Sequence, residues 1–97
     1  MSYRKGRRLE YVVRDMYRRR GWLVIRAAGS KPVDLVCLKG KKAVLVECKY
    51  GRGATWRDLY PLLDAASRAR VKPVLAVAEK RGRVTLVNIN TWSEFRP

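Results

Sequence analysis

Histidine is absent from this chain of 97 residues, and cysteine occurs only at Cys37 and Cys48. The lack of histidine excludes Ser-His-Asp triads, histidine-based acid–base catalysis and zinc fingers. Both cysteines stand inside apolar runs, and neither has a partner at metal-ligand spacing. We therefore expect two buried free thiols.

Acidic residues are also few, since 8 Asp and Glu stand against 23 Lys and Arg, which gives a formal net charge of +15. A charge of this size implies a polyanionic partner, with nucleic acid as the first candidate and an anionic membrane as the second. The apolar runs, such as residues 35–38, fall far short of the ~20 residues that span a bilayer. No apolar segment of a signal peptide follows the basic N-terminus, so we expect a cytoplasmic, DNA-associated protein with no membrane partner.

The length of 97 residues allows one domain, residues 1–97. The hydrophobic pattern predicts an α/β fold in which helices flank a mixed sheet. Helices are expected at residues 3–20, where Gly21 follows as the terminator, and at residues 56–70. Strands are expected at residues 22–27, 33–39, 42–48, 73–78 and 83–89, which gives the order α-β-β-β-α-β-β.

Each predicted helix carries an apolar stripe that is expected to face the core. The two stripes are Leu9, Val12, Val13, Met16 and Tyr17 in the first helix, and Leu59, Leu62, Leu63 and Ala66 in the second. Pro61 is unfavourable inside a helix, so Asp58 is a candidate N-cap for the second helix, with Thr55 in a preceding turn.

Two carboxylates, Asp34 and Glu47, lie in apolar segments on either side of a short turn at residues 39–42. With Gly40 at the first central position of a type II′ turn, Asp34 is predicted to lie directly opposite Glu47, on the face that also carries Lys49. Opposed like charges among apolar residues are destabilising unless a cation bridges them, and Mg²⁺ suits such a pair. Two simpler interpretations stay open: Asp34 caps a strand end, and Glu47 forms only a surface ion pair with Lys49.

The same segments carry a resemblance to a known family. Residues 32–34 (Pro-Val-Asp) and 47–49 (Glu-Cys-Lys) resemble the PD-(D/E)xK nuclease motif, with the proline displaced by one residue. Glu10 in a basic first helix and Ser30 between Gly29 and Lys31 make the chain similar to archaeal Holliday junction resolvases. The likeness covers about residues 4–90; the chain departs from it in being short and in lacking Gln in the second helix.

The resemblance implies a restriction-endonuclease-like domain that resolves four-way DNA junctions with Mg²⁺, for which Mn²⁺ can substitute, and with no small-molecule cofactor. The implied metal ligands are Asp34, Glu47, Glu10 and the backbone carbonyl of Cys48. Lys49 is expected to orient or deprotonate the attacking water or to stabilise the phosphate, and Ser30 to lie near the scissile phosphate. The alternatives are that Glu10 pairs with Arg14 along the helix and that Ser30 is an ordinary turn residue.

Basic residues near these positions are candidates for phosphate contact without sequence readout. They are Arg4, Lys5, Arg7, Arg8, Arg20, Arg26, Lys31 and Arg52.

A four-way junction has two symmetric scissile phosphates, so we also expect a C2 homodimer. Its candidate interface residues are Leu59, Leu62, Leu63, Trp56 and Tyr60, unless they only cover the sheet.

Two other functions compete with junction resolution. The first is another PD-(D/E)xK endonuclease, of the restriction or repair type, that cuts linear duplex or flaps. The second is a non-catalytic basic protein that coats DNA or RNA, which would not need Asp34, Glu47 and Lys49 on one face. A test of Mg²⁺-dependent cleavage on linear duplex, flap and four-way junction side by side separates the three functions.

Overall fold

The computed structural model describes residues 3–27, 29, 31–51, 54–79 and 82–97, with side chains from residue 7 onward. Two helices and six strands follow one another as α1 (Tyr3–Arg18), β1 (Leu23–Arg26), β2 (Leu35–Lys39), β3 (Lys42–Tyr50), α2 (Trp56–Ala69), β4 (Lys72–Ala78), β5 (Val84–Asn88) and β6 (Ser93–Glu94). The predicted order α-β-β-β-α-β-β is confirmed, and β6 is an additional short strand that the periodicity did not predict.

All six strands form one sheet, in which each strand lies beside its neighbours in the chain. The pairing of β3 with β4 is parallel, and the other four pairings are antiparallel. The parallel pair requires a crossover, and α2 provides it. The prediction of a mixed sheet flanked by helices is therefore confirmed.

The turn between β2 and β3 fixes the register on which the functional argument depends. Gly40 has a φ of 59°, a positive value that suits glycine at the first central position of the predicted turn. Val36 pairs with Leu45 as predicted, and the ladder runs from Lys39–Lys42 back to Leu35–Val46. The predicted hairpin is confirmed over this length.

The sheet is covered by one helix on each face. α1 packs Leu9, Val13 and Tyr17 on the face that carries Leu35 and Val46. α2 packs Leu59 and Leu62 on the opposite face, together with Leu75. Both predicted stripes face the core except at Val12, which is 41% exposed because it lies at the margin of the α1 stripe.

The start of α2 differs from the sequence-based expectation. Thr55, and not Asp58, is the N-cap: the Thr55 hydroxyl accepts a hydrogen bond from the Asp58 backbone N–H, and the Asp58 carboxylate accepts one from the Thr55 N–H. This capping box satisfies free backbone groups at the helix start, which offsets the hydrogen bond that Pro61 removes inside the helix. Pro61 therefore lies within α2.

Candidate active site

Asp34 is a buried carboxylate at the end of the β2–β3 hairpin, with 5% of its surface exposed. Its Oδ2 accepts a hydrogen bond of 2.8 Å from the Cys48 backbone N–H, and its own N–H donates to the Val46 carbonyl. The predicted direct pair with Glu47 is wrong, because β2 begins at Leu35 and the ladder stops there. The Asp34 side chain instead caps a backbone donor of β3, which was the simpler interpretation of this residue.

Glu47 and Lys49 lie on the α2 face of β3, because strand side chains alternate and Leu45 packs on that face. Lys49 Nζ lies 4.0 Å from Glu47 Oε2, at the outer limit of an ion pair. Burial, and next the negative charge of Asp34, raise the pKa of Glu47 to about 8, while Lys49 opposes the shift. Asp34 therefore acts electrostatically on Glu47, even though the two residues are not a cross-strand pair.

Glu10 is bound by Arg26 rather than by its helical neighbour Arg14. The Arg26 Nη2 and Nε donate to Glu10 Oε1 at 3.0 and 3.1 Å, whereas Arg14 pairs with Asp15. The structure pairs Arg14 with Asp15, so the alternative pairing of Glu10 with Arg14 is wrong. Glu10 also raises the pKa of Glu47, with a smaller effect than burial and Asp34. The α1 helix therefore places the Glu10 carboxylate close enough to Glu47 to act on it electrostatically.

These carboxylates can be tested as a metal site by their chemistry. In the described residues no three acidic or cysteine side chains converge closely enough to hold an ion unaided. Asp34 and Glu47 nevertheless supply hard oxygen donors, and their mutual repulsion is the kind of strain that a divalent cation relieves. Mg²⁺ commonly binds one or two carboxylates and completes its coordination with water and substrate phosphate, so the residues fit such an ion.

Comparison with known proteins assigns the chain to a family. The sequence model of a family described as "Archaeal holliday junction resolvase (hjc)" matches residues 1–96. The chain belongs to this family. It is 30% identical over 91 residues to the crossover junction endodeoxyribonuclease Hjc of Methanocaldococcus jannaschii, which covers 90% of the chain and 68% of that relative.

A solved structure shows that the resolvase fold is shared. The Holliday junction resolvase Hjc of Archaeoglobus fulgidus superposes with a TM-score of 0.76 at 20% identity. The match covers 89% of this chain and 74% of that one. The α/β fold that the resolvase motifs implied is therefore confirmed.

The basic residues proposed for phosphate contact fall in different parts of this resolvase-family chain. Arg7, Arg8 and Lys31 are exposed. Arg20 is also exposed, but it follows the end of α1, about 15 Å along the helix from Glu10. Arg26 pairs with Glu10. Ser30 and Arg52 lie outside the described residues, as do the side chains of Arg4 and Lys5.

Asp58 is a residue of the site region that the sequence analysis did not assign to it. Its charge adds to the rise in the Glu47 pKa. Hydrogen bonds from the Thr55 backbone and then the Thr55 side chain lower the pKa of Asp58, and Lys49 contributes further. The start of α2 therefore faces the Glu47–Lys49 end of β3. The Thr55-x-x-Asp58 capping signal could have placed the helix start there.

The two cysteines are free thiols in the structure. Cys37 is buried and Cys48 is half-buried, and burial raises the pKa of the Cys37 thiol to about 12. Burial also raises the pKa of Cys48, with Asp34 as the next cause. The prediction of two free thiols is confirmed, and the prediction of burial is confirmed for Cys37 but not fully for Cys48. In the described part of the chain, neither helix is both long and apolar enough to cross a bilayer.

Proposed function

We propose that the protein is a structure-selective endonuclease that resolves four-way DNA junctions by metal-dependent phosphodiester hydrolysis. The observation that carries this proposal is the buried Asp34 carboxylate, which is fixed by the Cys48 N–H beside Glu47 and Lys49. Membership of the archaeal resolvase family supports the junction as substrate. The net charge of +15 supports a nucleic acid in general.

The ion in this proposal is Mg²⁺, with Mn²⁺ able to substitute, held by Asp34, Glu47, Glu10 and the Cys48 carbonyl. A bound divalent ion supplies positive charge that polarises the scissile phosphate and acidifies water. The chain's part is to hold the carboxylates in place. The hydrogen bond from Cys48 fixes Asp34, and the two hydrogen bonds from Arg26 fix Glu10.

Lys49 acts on the reacting groups in this proposal. Its ammonium group orients the attacking water or stabilises the negative charge that grows on the phosphate oxygens. Hydrolysis forms a bond between the water oxygen and phosphorus and breaks the bond from phosphorus to one deoxyribose oxygen, which takes up a proton.

Ser30 is proposed to lie near the scissile phosphate. Arg4, Lys5, Arg7, Arg8, Lys31 and Arg52 are proposed to bind flanking phosphates.

Arg26 is proposed to position Glu10 rather than to bind phosphate. We expect Arg26→Gln to lower the cleavage rate by about 10- to 100-fold, as loss of a group that orients a metal ligand commonly does. Arg14→Gln is the matched control, because Arg14 and Arg26 both lie over the Tyr11 ring, at 4.7 and 5.0 Å. The measurements are single-turnover cleavage against Mg²⁺ concentration and DNA affinity against salt.

The two roles of Arg26 give different results. A positioning role predicts that the mutant needs more Mg²⁺ and that its log–log salt slope for DNA binding is unchanged. A slope lower by ~0.9 with an unchanged Mg²⁺ requirement would instead make Arg26 a phosphate contact.

The proposed assembly is a C2 homodimer of single nuclease domains. Leu59 and Leu62 are buried against the sheet, so they are unavailable for the interface that the sequence suggested. Trp56 and Tyr60 are 63% and 69% exposed, and Trp92, at 57%, packs edge-on against Trp56. These three aromatic side chains are the proposed contact between copies.

We expect sedimentation of the free protein to give a dimer that salt strengthens, because high net charge opposes association and salt screens it. Trp56→Ser combined with Tyr60→Ser is expected to yield monomers. Leu23→Ser combined with Ile25→Ser, at exposed apolar positions on β1, is the control. A monomer at both low and high salt, even at high protein concentration, would refute the dimer.

The decisive test of function compares four-way junction, flap and linear duplex side by side, with Mg²⁺ and with EDTA. The proposal requires Mg²⁺-dependent paired cuts that strongly favour the junction. Equal cutting of duplex or flap would favour a restriction- or repair-type nuclease. Tight binding without any cutting would favour a non-catalytic DNA-coating protein.

A further inference from the structure

A cleft of about 690 Å³ opens at the far end of the sheet from Glu47 and Lys49. It is formed by the β2–β3 turn, the end of α2, the start of β4 and the segment after β6. Its volume lies in the range of ordinary ligand sites. Lys42 and Lys49 stand at opposite ends of β3, about 23 Å apart along the strand. The cleft is therefore separate from the candidate active site.

The charged residues that line this cleft all carry positive charge. Its charged lining residues are Lys41, Lys42, Arg70, Lys72 and Arg96. All eight acidic residues of the chain lie within the described ranges, and none of them lines the cleft. Arg96 lies 3.8 Å from Glu94 at an exposed position, whereas within the described structure no carboxylate lies within 4 Å of the other four cations.

Helix electrostatics explain only part of this charge. Arg70 is the C-cap of α2, where a cation is favoured by the partial negative charge of the helix end. Lys41, Lys42 and Lys72 belong to the β2–β3 turn and the strands, so the helix does not account for them. Their mutual repulsion opposes folding, and a bound anion would relieve it.

The cleft also has an apolar floor, which distinguishes it from a simple phosphate-binding surface. Leu63, Val71 and Phe95 line it and are only half-buried. Phosphate groups are contacted by charged and polar side chains, so phosphate binding would use the cations of the cleft but would leave its apolar floor uncovered. A ligand that matches both parts carries carboxylates and apolar side chains together.

We propose that this cleft binds a short segment of a partner protein in which acidic and apolar residues alternate. Its carboxylates pair with Lys42, Arg70 and Lys72, and its apolar side chains cover Leu63 and Phe95. The site lies away from the nuclease centre, so it can recruit the enzyme to a partner without occupying the DNA face. The inference goes beyond junction cleavage and does not depend on it.

The test measures fluorescence anisotropy of a labelled synthetic peptide in which Asp alternates with Leu and Phe. The second probe is the same peptide with Ser in place of Leu and Phe, and the third is a labelled linear DNA duplex. The cleft variant is Lys42→Glu combined with Lys72→Glu. The control, which changes net charge equally, is Arg18→Glu combined with Arg19→Glu at exposed positions at the end of α1.

The cleft variant is expected to bind the apolar acidic peptide about tenfold more weakly, whereas the control variant stays within about twofold of the wild type. The Ser-containing peptide should bind the wild type more weakly than the apolar peptide. Junction cleavage should be unchanged in the cleft variant. Asp34→Asn should keep full peptide affinity, so failure of the nuclease proposal would not alter this result.

Four outcomes would overturn the proposal: no binding of the peptide to the wild type, equal loss in both variants, equal affinity for the two peptides, or a loss of duplex binding confined to the cleft variant. The last outcome would make the cleft a DNA site. Thermal melts establish that both double variants fold. If the Glu variant does not fold, Lys42→Gln combined with Lys72→Gln takes its place.

Discussion

Asp34→Asn is expected to lower junction cleavage by on the order of 10³-fold, because loss of charge at the proposed metal ligand removes several kcal/mol of transition-state stabilisation. DNA affinity should stay equal or rise, since one negative charge near the phosphates disappears. The fold should survive, because the Asn side-chain oxygen can still accept the hydrogen bond that Cys48 N–H donates to Asp34. The measurements are single-turnover cleavage and DNA titration.

A thermal melt gives the Asp34 prediction a readout that does not depend on activity. Mg²⁺ should raise the melting temperature of the wild type, since a ligand that binds only the folded state stabilises it. It should leave Asp34→Asn nearly unchanged. Asp15→Asn is the control, because Asp15 is a partly exposed acid of α1 that pairs with Arg14. Near wild-type cutting by Asp34→Asn in Mg²⁺ would show that the proposed metal site is wrong.

The hairpin was predictable because a turn residue and strand alternation together leave one register. Gly40 fixes the turn, and the apolar residues on both sides have only one arrangement that buries them. Asp34 lies one residue beyond the ladder, where backbone geometry no longer follows the alternation. The sequence could therefore bring Asp34 close to Glu47, but it could not show that Asp34 binds the Cys48 N–H.

Partners that come from distant parts of the chain were the least predictable. Helical spacing suggests Arg14 for Glu10, yet β1 brings Arg26 to it from 16 residues away. The short strand β6 has no periodicity of its own, and it is placed by packing. Phe95, just after it, stacks on Tyr17 and contacts Trp22. The start of α2 was also mispredicted, because helix propensity counts the hydrogen bond that Pro61 removes but not the capping box of Thr55 and Asp58 that offsets its loss.

Lys49→Met is expected to reduce the single-turnover cleavage rate by on the order of 10²-fold, the effect of losing one group that moves a proton or stabilises charge. Met keeps most of the length of the apolar stem, so packing along β3 should change little. Lys49 lies 4.0 Å from Glu47 but supplies no oxygen ligand. The Mg²⁺-induced rise in melting temperature should therefore persist, in contrast to Asp34→Asn.

The comparison of these two variants separates a group that acts on the substrate from one that holds the ion. Lys72→Met is the control for Lys49→Met, because Lys72 begins β4 at the opposite end of the sheet and should cut normally. If Lys49→Met lost the Mg²⁺-induced shift along with activity, Lys49 would act by holding Glu47 in place. If it cut at the wild-type rate, the amine would have no part in the reaction, and the water would have to be oriented by the carboxylates or by the substrate phosphate itself.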